Sequence, residues 1–385
     1  MLGYPINMEI PPEEFLLWRK RLVESGIGVV AYNNVGDPFS HSAFPHNTHD
    51  YERELILRFG DLYAFPRKNV WGFLSHSGTD SNMHGMYIGR TLLKGRTGIV
   101  PKAYFTCEAH YSVQILRDLL GLESVIVETQ PDGAMDPADL SKKLAANADH
   151  PALVVATVGT TFKGAIDPVD RIQSVLQGRP SYLHLDAALF GGYFPYTAHA
   201  WEVLHQSTSS TGVGRYDSIA ISCHKFFGFP APAGLFITTK THFREFRELF
   251  SLVHNPEYIH QVPGTITCSR DAVKPAEFFF FSTSCARARQ IEAAKMIMEN
   301  SAYLYEQMAL HFRHLTPTRA NDRSNIVYFK KPGNTISRKY SLCSVQLEKN
   351  GRKESYSHVV VMPHVTREII TEFLTDIGRD TSFRS

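Results

Sequence analysis

Residues 218–225 read Ser-Ile-Ala-Ile-Ser-Cys-His-Lys, an apolar run that ends directly in polar and ionisable side chains. Residues 182–188, Tyr-Leu-His-Leu-Asp-Ala-Ala, show the same pattern upstream. Short apolar runs bounded by polar residues are typical of buried strands. Both stretches therefore predict strands whose carboxyl ends carry chemically reactive side chains.

Strand and helix signals alternate around these two stretches. Four more runs are predicted as strands, at residues 103–106, 124–128, 153–158 and 234–238. Helical segments fit between several of the strands, at residues 112–120, 137–146 and 168–177. The last two begin with proline, whose missing N–H costs nothing at a first helical position. This alternation predicts an α/β fold with a mostly parallel central sheet that helices cover on both faces.

The pattern changes on both sides of this alternating region. The first 60 residues are irregular in pattern, and after about residue 240 the alternation stops. A polar loop at 254–267, a long helix at 275–312 and a mixture of short strands and a helix follow. The predicted organisation is an N-terminal segment (1–60), a large domain that contains the alternating region (61–270), and a long helix with a small C-terminal α+β domain (271–385).

Composition excludes several classes of protein. The 385 residues carry a formal net charge of +2, which argues against a general nucleic-acid or membrane-surface binder because such proteins need a basic stripe. No uncharged apolar run reaches the roughly 18 residues of a spanning helix, and residues 1–11 lack the pattern of a secretory signal. The five cysteines are scattered and odd in number, which predicts reduced thiols in a cytoplasmic protein.

Two strand ends carry ionisable groups that fit one cofactor. Lys225 follows a buried strand, and burial lowers the pKa of such a lysine and favours Schiff-base chemistry. Asp186 ends another strand at the edge where open α/β sheets bind ligands. A carboxylate there holds a pyridine nitrogen protonated, as pyridoxal phosphate chemistry requires. Taken alone, Lys225 is also compatible with a surface lysine, and Asp186 with a helix cap.

Two further strand ends complete the set. Ser77 and Asp80 form a capping-box pattern, so a helix start with free N–H groups for a phosphate is expected at Gly78 and Thr79. His110 stands at a strand-to-helix junction, where it can stack on a flat ring. Each feature alone is more often structural. Together the four strand ends supply a phosphate cradle, a ring stacker, an acid and a lysine, which pyridoxal 5'-phosphate (PLP) needs.

With these groups in place, the chain resembles the PLP-dependent group II amino-acid decarboxylases, in the branch of bacterial histidine decarboxylases and plant serine decarboxylases. The resemblance covers nearly the whole chain and is most specific in Gly-Thr-Thr (159–161), Asp-Ala-Ala (186–188) and His-Lys (224–225). Other matching stretches are 2–7, 33–39, 78–82, 110–113 and 358–363. The resemblance implies the type I fold of PLP-dependent transferases, with a seven-stranded, mostly parallel sheet.

The resemblance also implies roles for individual residues. Lys225 would hold the cofactor covalently, Asp186 would pair with the pyridine nitrogen, and His110 would stack above the ring and approach the substrate. The other implied cofactor contacts are Ala188 under the ring, Thr161 near it, and Gly78, Thr79, Ser222 and His224 around the phosphate. Tyr258 matches a tyrosine of the family's mobile loop. We predict that it donates the proton to Cα after CO2 leaves, or alternatively that it only packs the closed loop.

The predicted reaction is decarboxylation of an L-amino acid, with histidine as the first choice of substrate and serine as the second. The identity of the substrate is not decided by the resemblance, because one family motif differs here. The family's Ser-Arg-Asn-Gly-His, which lies near the substrate region, is replaced by Ser-Arg-Asp-Ala-Val at 269–273. Decarboxylative oxidation to an aldehyde and transamination are alternatives on the same cofactor, and an inactive scaffold is a third. A metal site at His41, His46 and His49 is not expected, because the cluster lacks cysteine partners and a helical spacing. A homodimer with shared active sites is implied.

Overall fold

A computed structural model describes residues 1–42, 44–198, 203–205, 215–259, 262–349 and 351–380. Its central sheet consists of β1 (Val70–Ser75), β2 (Lys102–Thr106), β3 (Ser124–Val127), β4 (Ala152–Thr157), β5 (Ser181–Asp186), β6 (Ser218–Ser222) and β7 (Gly234–Thr239). The strand order is β1-β7-β6-β5-β4-β2-β3. Only β7 runs antiparallel to its neighbours β1 and β6, so the predicted mostly parallel seven-stranded sheet is confirmed.

The six strands predicted from the sequence agree with the structure to within one residue at each end. Strand β1 was not predicted, because its apolar run is interrupted by Gly72 and a glycine inside a run weakens the strand pattern. The structure requires that glycine. A Cβ on Gly72 would lie 2.1 Å from the carbonyl oxygen of Phe236, so β1 could not pair with β7 at this distance.

The α-helices that the structure describes over their full length are α1 (Glu13–Glu24), α2 (His49–Leu62), α3 (Gly78–Thr97), α4 (Tyr111–Leu119), α5 (Pro137–Ala146), α6 (Val169–Leu176), α7 (Lys240–Ser251), α8 (Val273–Phe278), α9 (Ser284–His311), α10 (Asn334–Lys339) and α11 (Arg367–Arg379). Helices α3, α4 and α7 cover one face of the central sheet, and α2, α5, α6 and α9 cover the other. On β4, Leu153 and Val155 pack into the first layer, whereas Val154 and Ala156 pack into the second. This alternation places a buried core on each side of the sheet.

Two helix predictions were wrong. Helix α1 lies within the segment predicted to be irregular. Its helical pattern was hidden because Leu16 and Leu17 are exposed while Phe15 and Leu22 are buried. The predicted long helix at 275–312 is interrupted. Helix α9 begins only at Ser284, because Thr283 is extended and its hydroxyl caps the new helix by accepting the N–H of Ala286.

The C-terminal region forms a second, smaller unit of structure. Strands β8 (Ile326–Lys330), β9 (Ser344–Lys349) and β10 (Arg352–Val360) form an antiparallel sheet in the order β8-β10-β9. With α10 and α11 this sheet gives the predicted small α+β arrangement, while the domain boundary at residue 270 stays a prediction. No helix among the described residues is both long and apolar enough to cross a membrane.

Candidate active site

The polar strand ends meet at one edge of the central sheet and enclose a cavity of about 220 Å³. Nine of the ten predicted site residues line it: Gly78, Thr79, His110, Thr161, Asp186, Ala188, Ser222, His224 and Lys225. Sequence reasoning missed the other lining residues, which are Ser77, Asn82, Ser112, Thr157, Gly159, Leu189 and Pro232. Several of these residues lie within or beside the motifs quoted above. Their position in the sequence could therefore have identified them as lining residues.

The first turn of α3 forms a cradle for an anion. Ser77 caps the helix by accepting the N–H of Asp80 at 3.2 Å, and Asp80 accepts the N–H of His76 at 2.9 Å. Gly78 must be a glycine, because a Cβ there would lie 2.5 Å from Oγ of Ser222. The free N–H groups and the positive end of the helix dipole at such a start bind phosphate.

An acid and an amine lie in the same cavity. Asp186 is buried at the end of β5, and one of its oxygens accepts the N–H of Ala188 at 3.2 Å. Burial lowers the pKa of Lys225, and the charge of Asp186 partly opposes that change. A lysine with a lowered pKa supplies more neutral amine, which is the nucleophilic form.

His110 has a defined tautomer in its neutral form. It caps α4, and its Nδ1 accepts the N–H of Ser112 at 3.3 Å and lies 2.7 Å from the Ser112 hydroxyl. Because Nδ1 is an acceptor, the proton of the neutral ring is on Nε2. Burial lowers the pKa of His110, Asp186 opposes this and Lys225 adds to it. Burial likewise lowers the pKa of His224. Burial therefore favours the neutral form of both rings.

Tyr258, the tenth predicted residue, does not line the cavity. Its side chain is 82% exposed on a single turn, Glu257–Ile259, within the loop at 254–267. Residues 260–261 of that loop lie outside the described residues. The polar composition of this loop predicts few contacts, but its second half makes several. Residues 263–265 are buried, and the N–H of Ile266 donates to Nε2 of His84 at 2.9 Å.

The segment 269–273, where the sequence departs from the family pattern, also lies outside the cavity lining. Arg270 forms a buried ion pair with Glu52 and donates to the carbonyl oxygen of Gly36 at 3.0 Å. Asn34 donates to the same carboxylate at 3.0 Å. This part of the segment therefore holds the N-terminal region against the large domain.

The three clustered histidines have separate environments. His46 stacks on Tyr32 with ring centres 5.3 Å apart, His49 is buried and His41 is exposed. Within the described parts of the chain, no group of three or more potential ligands is placed to hold a metal ion.

The chain is similar to known proteins in sequence and in structure. Residues 96–314 match the family model of the pyridoxal-dependent decarboxylase conserved domain. The chain is 28% identical to a histidine decarboxylase of Solanum lycopersicum, covering 100% of this chain and 85% of the relative. It is 32% identical to serine decarboxylase 3 of Oryza sativa subsp. japonica, covering 98% and 77%. A solved structure of L-methionine decarboxylase from Streptomyces sp. 590 superposes with a TM-score of 0.82 at 22% identity, covering 99% and 91%.

Proposed function

Because the chain belongs to the family of pyridoxal-dependent decarboxylases, we propose that its substrate is L-histidine, converted to the corresponding amine and CO2. The protein is a PLP-dependent amino-acid decarboxylase. The similarity to the histidine decarboxylase of Solanum lycopersicum over the whole chain supports histidine. L-Serine is the second candidate. The rice serine decarboxylase supports it, with 32% identity over 98% of this chain.

The residues of the cavity fit the cofactor. The gap at Gly78, which a Cβ would fill, and the start of α3 suit a phosphate, with Thr79, Ser222 and His224 around it. Lys225 would bind the cofactor covalently through its amine, and Ala188 and Thr161 would contact the ring. The observation that carries this assignment is the position of Lys225 and Asp186 in one cavity with that helix start.

Bound PLP withdraws electrons from the substrate Cα and so weakens its bond to the carboxylate. Asp186 would make this withdrawal effective, because its buried carboxylate would hold the pyridine nitrogen protonated. Lys225, whose pKa burial lowers, would give up the bound cofactor to the amine of the substrate and take it back when the product leaves. His110 keeps its proton on Nε2. This N–H group can donate a hydrogen bond to the substrate carboxylate.

Protonation at Cα completes the reaction, and we assign it to Tyr258. Its phenol lies on an exposed turn, so the loop must close over this cavity, or over that of a second copy, before the proton moves. A closed loop also keeps bulk water away from the reacting carbon.

A homodimer is part of the proposal. On α4, Tyr111, Ile115 and Leu119 are 72%, 56% and 67% exposed, and their spacing of four residues places them on one face of the helix. Exposed apolar patches of this kind mark interaction surfaces. The ring of Tyr111 lies 4.3 Å from that of His110, so a second copy on this face would lie beside the cavity.

A cytoplasmic location is also proposed. All five cysteines are free thiols in the structure. Unpaired cysteines are typical of proteins in a reducing compartment, which supports this location.

Product analysis tests the proposed reaction. The PLP-loaded protein is incubated with each of the twenty amino acids, and CO2, amine, aldehyde and hydrogen peroxide are measured. We expect CO2 and amine in equal amounts from histidine, without aldehyde or peroxide. Release of CO2 from serine alone would replace histidine by serine. Aldehyde with peroxide, or a keto acid without CO2, would replace decarboxylation by the oxidative or transaminating alternative.

A further inference from the structure

A buried chain of hydrogen bonds runs from β6 through β5 to the helix that borders the cavity. Nδ1 of His184 lies 2.7 Å from the hydroxyl of Ser218, and Nε2 lies 2.9 Å from Oδ1 of Asn82. All three side chains are buried, with 2% exposure for Asn82 and 0% for the other two. His184 precedes Asp186 by two residues, so the two side chains share one face of β5.

The fold makes room for this histidine. A Cβ on Gly85 would lie 2.3 Å from Nδ1 of His184, so only glycine lets the ring pack directly against α3. Burial lowers the pKa of His184 to about 3. The ring is therefore neutral at pH 7 and carries a single N–H.

The direction of the hydrogen bonds follows from this single N–H. Because Nε2 faces the carbonyl oxygen of Asn82, Nε2 donates and Nδ1 accepts from Ser218. The Oδ1 atom of Asn82 is then occupied, and its Nδ2 remains available as a donor. The opposite orientation of the amide would turn an acceptor toward the cavity, where it would repel an anion.

Asn82 is placed to meet the cofactor. It lines the same cavity as Gly78 and Thr79 and stands one helical turn after Gly78. Side chains of a helix lean toward its N-terminus, so that of Asn82 lies over the first turn of α3. The first turn is the part of the cavity that suits a phosphate.

We propose that Asn82 is a cofactor-binding residue whose amide N–H donates to the phosphate, and that His184 and Ser218 are positioning residues that fix this orientation. This inference rests on the proposed cofactor site. It adds Asn82 as a further residue that binds the phosphate, and His184 and Ser218 as the residues that hold Asn82 in place.

Binding of two forms of the cofactor to the apoprotein tests the proposal. The dissociation constants of PLP and of pyridoxal, which lacks the phosphate, are measured by equilibrium dialysis for the wild type and for Asn82→Asp. The variant keeps an acceptor for His184 but turns a carboxylate toward the phosphate. We expect a PLP dissociation constant raised by about tenfold to a hundredfold, the effect of one hydrogen bond to a charged group. Pyridoxal binding should stay unchanged.

Two further variants separate positioning from general damage. Ser218→Ala removes the hydroxyl that holds His184 and should weaken PLP binding by a smaller factor, again without affecting pyridoxal. Tyr104→Phe removes a buried hydroxyl from β2, outside this chain of hydrogen bonds, and should change neither constant. If Asn82→Asp does not fold, Ser218→Ala decides by the same comparison.

If the variants weaken the binding of PLP and of pyridoxal equally, or change neither dissociation constant, the proposal is overturned. Failure of the wild-type apoprotein to bind PLP would instead contradict the cofactor site itself, so the two failures are distinguishable.

Discussion

At the scale of single residues, the proposed chemistry depends on Asp186. Asp186→Asn should keep bound cofactor and lose most of its activity, because a neutral amide cannot hold the pyridine nitrogen protonated. One hydrogen bond to a charged group is worth about 1.5–3 kcal/mol, so the rate of amine formation should fall at least about tenfold. Initial rates at saturating PLP measure the effect.

A matched control for that variant is Asp170→Asn. Asp170 lies on α6, where its exposed carboxylate pairs with Arg215 away from the cavity, and this variant should retain wild-type activity. Activity of Asp186→Asn within about threefold of wild type would contradict the role of Asp186 as partner of the pyridine nitrogen.

The sequence predicted those site residues that follow a strand or start a helix, because both signals are local. Lys225, Asp186 and Gly78 could be assigned in this way. The contact between Asn82 and His184 joins residues 102 positions apart, and no local pattern marks it. The need for Gly85 appears only once α3 lies against β5.

At the scale of the element, the loop at 254–267 has two unlike halves. Tyr258, in the first half, is 82% exposed, as is Leu252 just before the loop, whereas residues 263–265 are buried. We expect chymotrypsin to cleave the free enzyme first at these two exposed residues. L-Histidine methyl ester, a substrate analogue that cannot release CO2, should slow the cleavage if the loop closes over the site. Cleavage sites are mapped by mass spectrometry.

The second half of the loop, residues 262–267, is an internal control. The hydrogen bond between Ile266 and His84 should protect it from cleavage. Resistance of the free enzyme at Leu252 and Tyr258, or cleavage unaffected by the analogue, would count against a closing loop.

Tyr258→Phe tests the proton donor on this loop. The variant should still release CO2, but the slow protonation of Cα would let molecular oxygen react there. The products would shift from amine toward aldehyde and hydrogen peroxide, which are quantified against CO2. Tyr305→Phe, a partly exposed tyrosine on α9, is the matched control. A proportional loss of CO2 and amine without peroxide would mean that Tyr258 only packs the closed loop.

At the scale of the whole molecule, the apolar face of α4 predicts the assembly. Ile115→Asp places a charge in the middle of this face and should weaken the dimer by at least about tenfold, the effect of leaving a charge unpaired in an interface. Sedimentation of wild type and variant over a concentration series measures it. Leu310→Asp changes a separately exposed leucine, 59% accessible near the end of α9, and should leave the dimer intact.

A wild-type protein that sediments as a monomer, or an Ile115→Asp variant with undiminished association, would contradict this interface. The sequence could not predict the assembly from periodicity, because an apolar position on α4 looks the same whether the core or a second chain covers it.

Reduction of the purified protein with borohydride tests whether the cavity holds PLP on Lys225. Peptide mapping should find the pyridoxyl group on Lys225 of the yellow wild-type protein and should find none on Lys225→Arg. Lys240 also directly follows a strand, β7, so Lys240→Arg is the matched control and should be labelled like the wild type. A label on any other lysine, or a protein that takes up no PLP, would contradict the account.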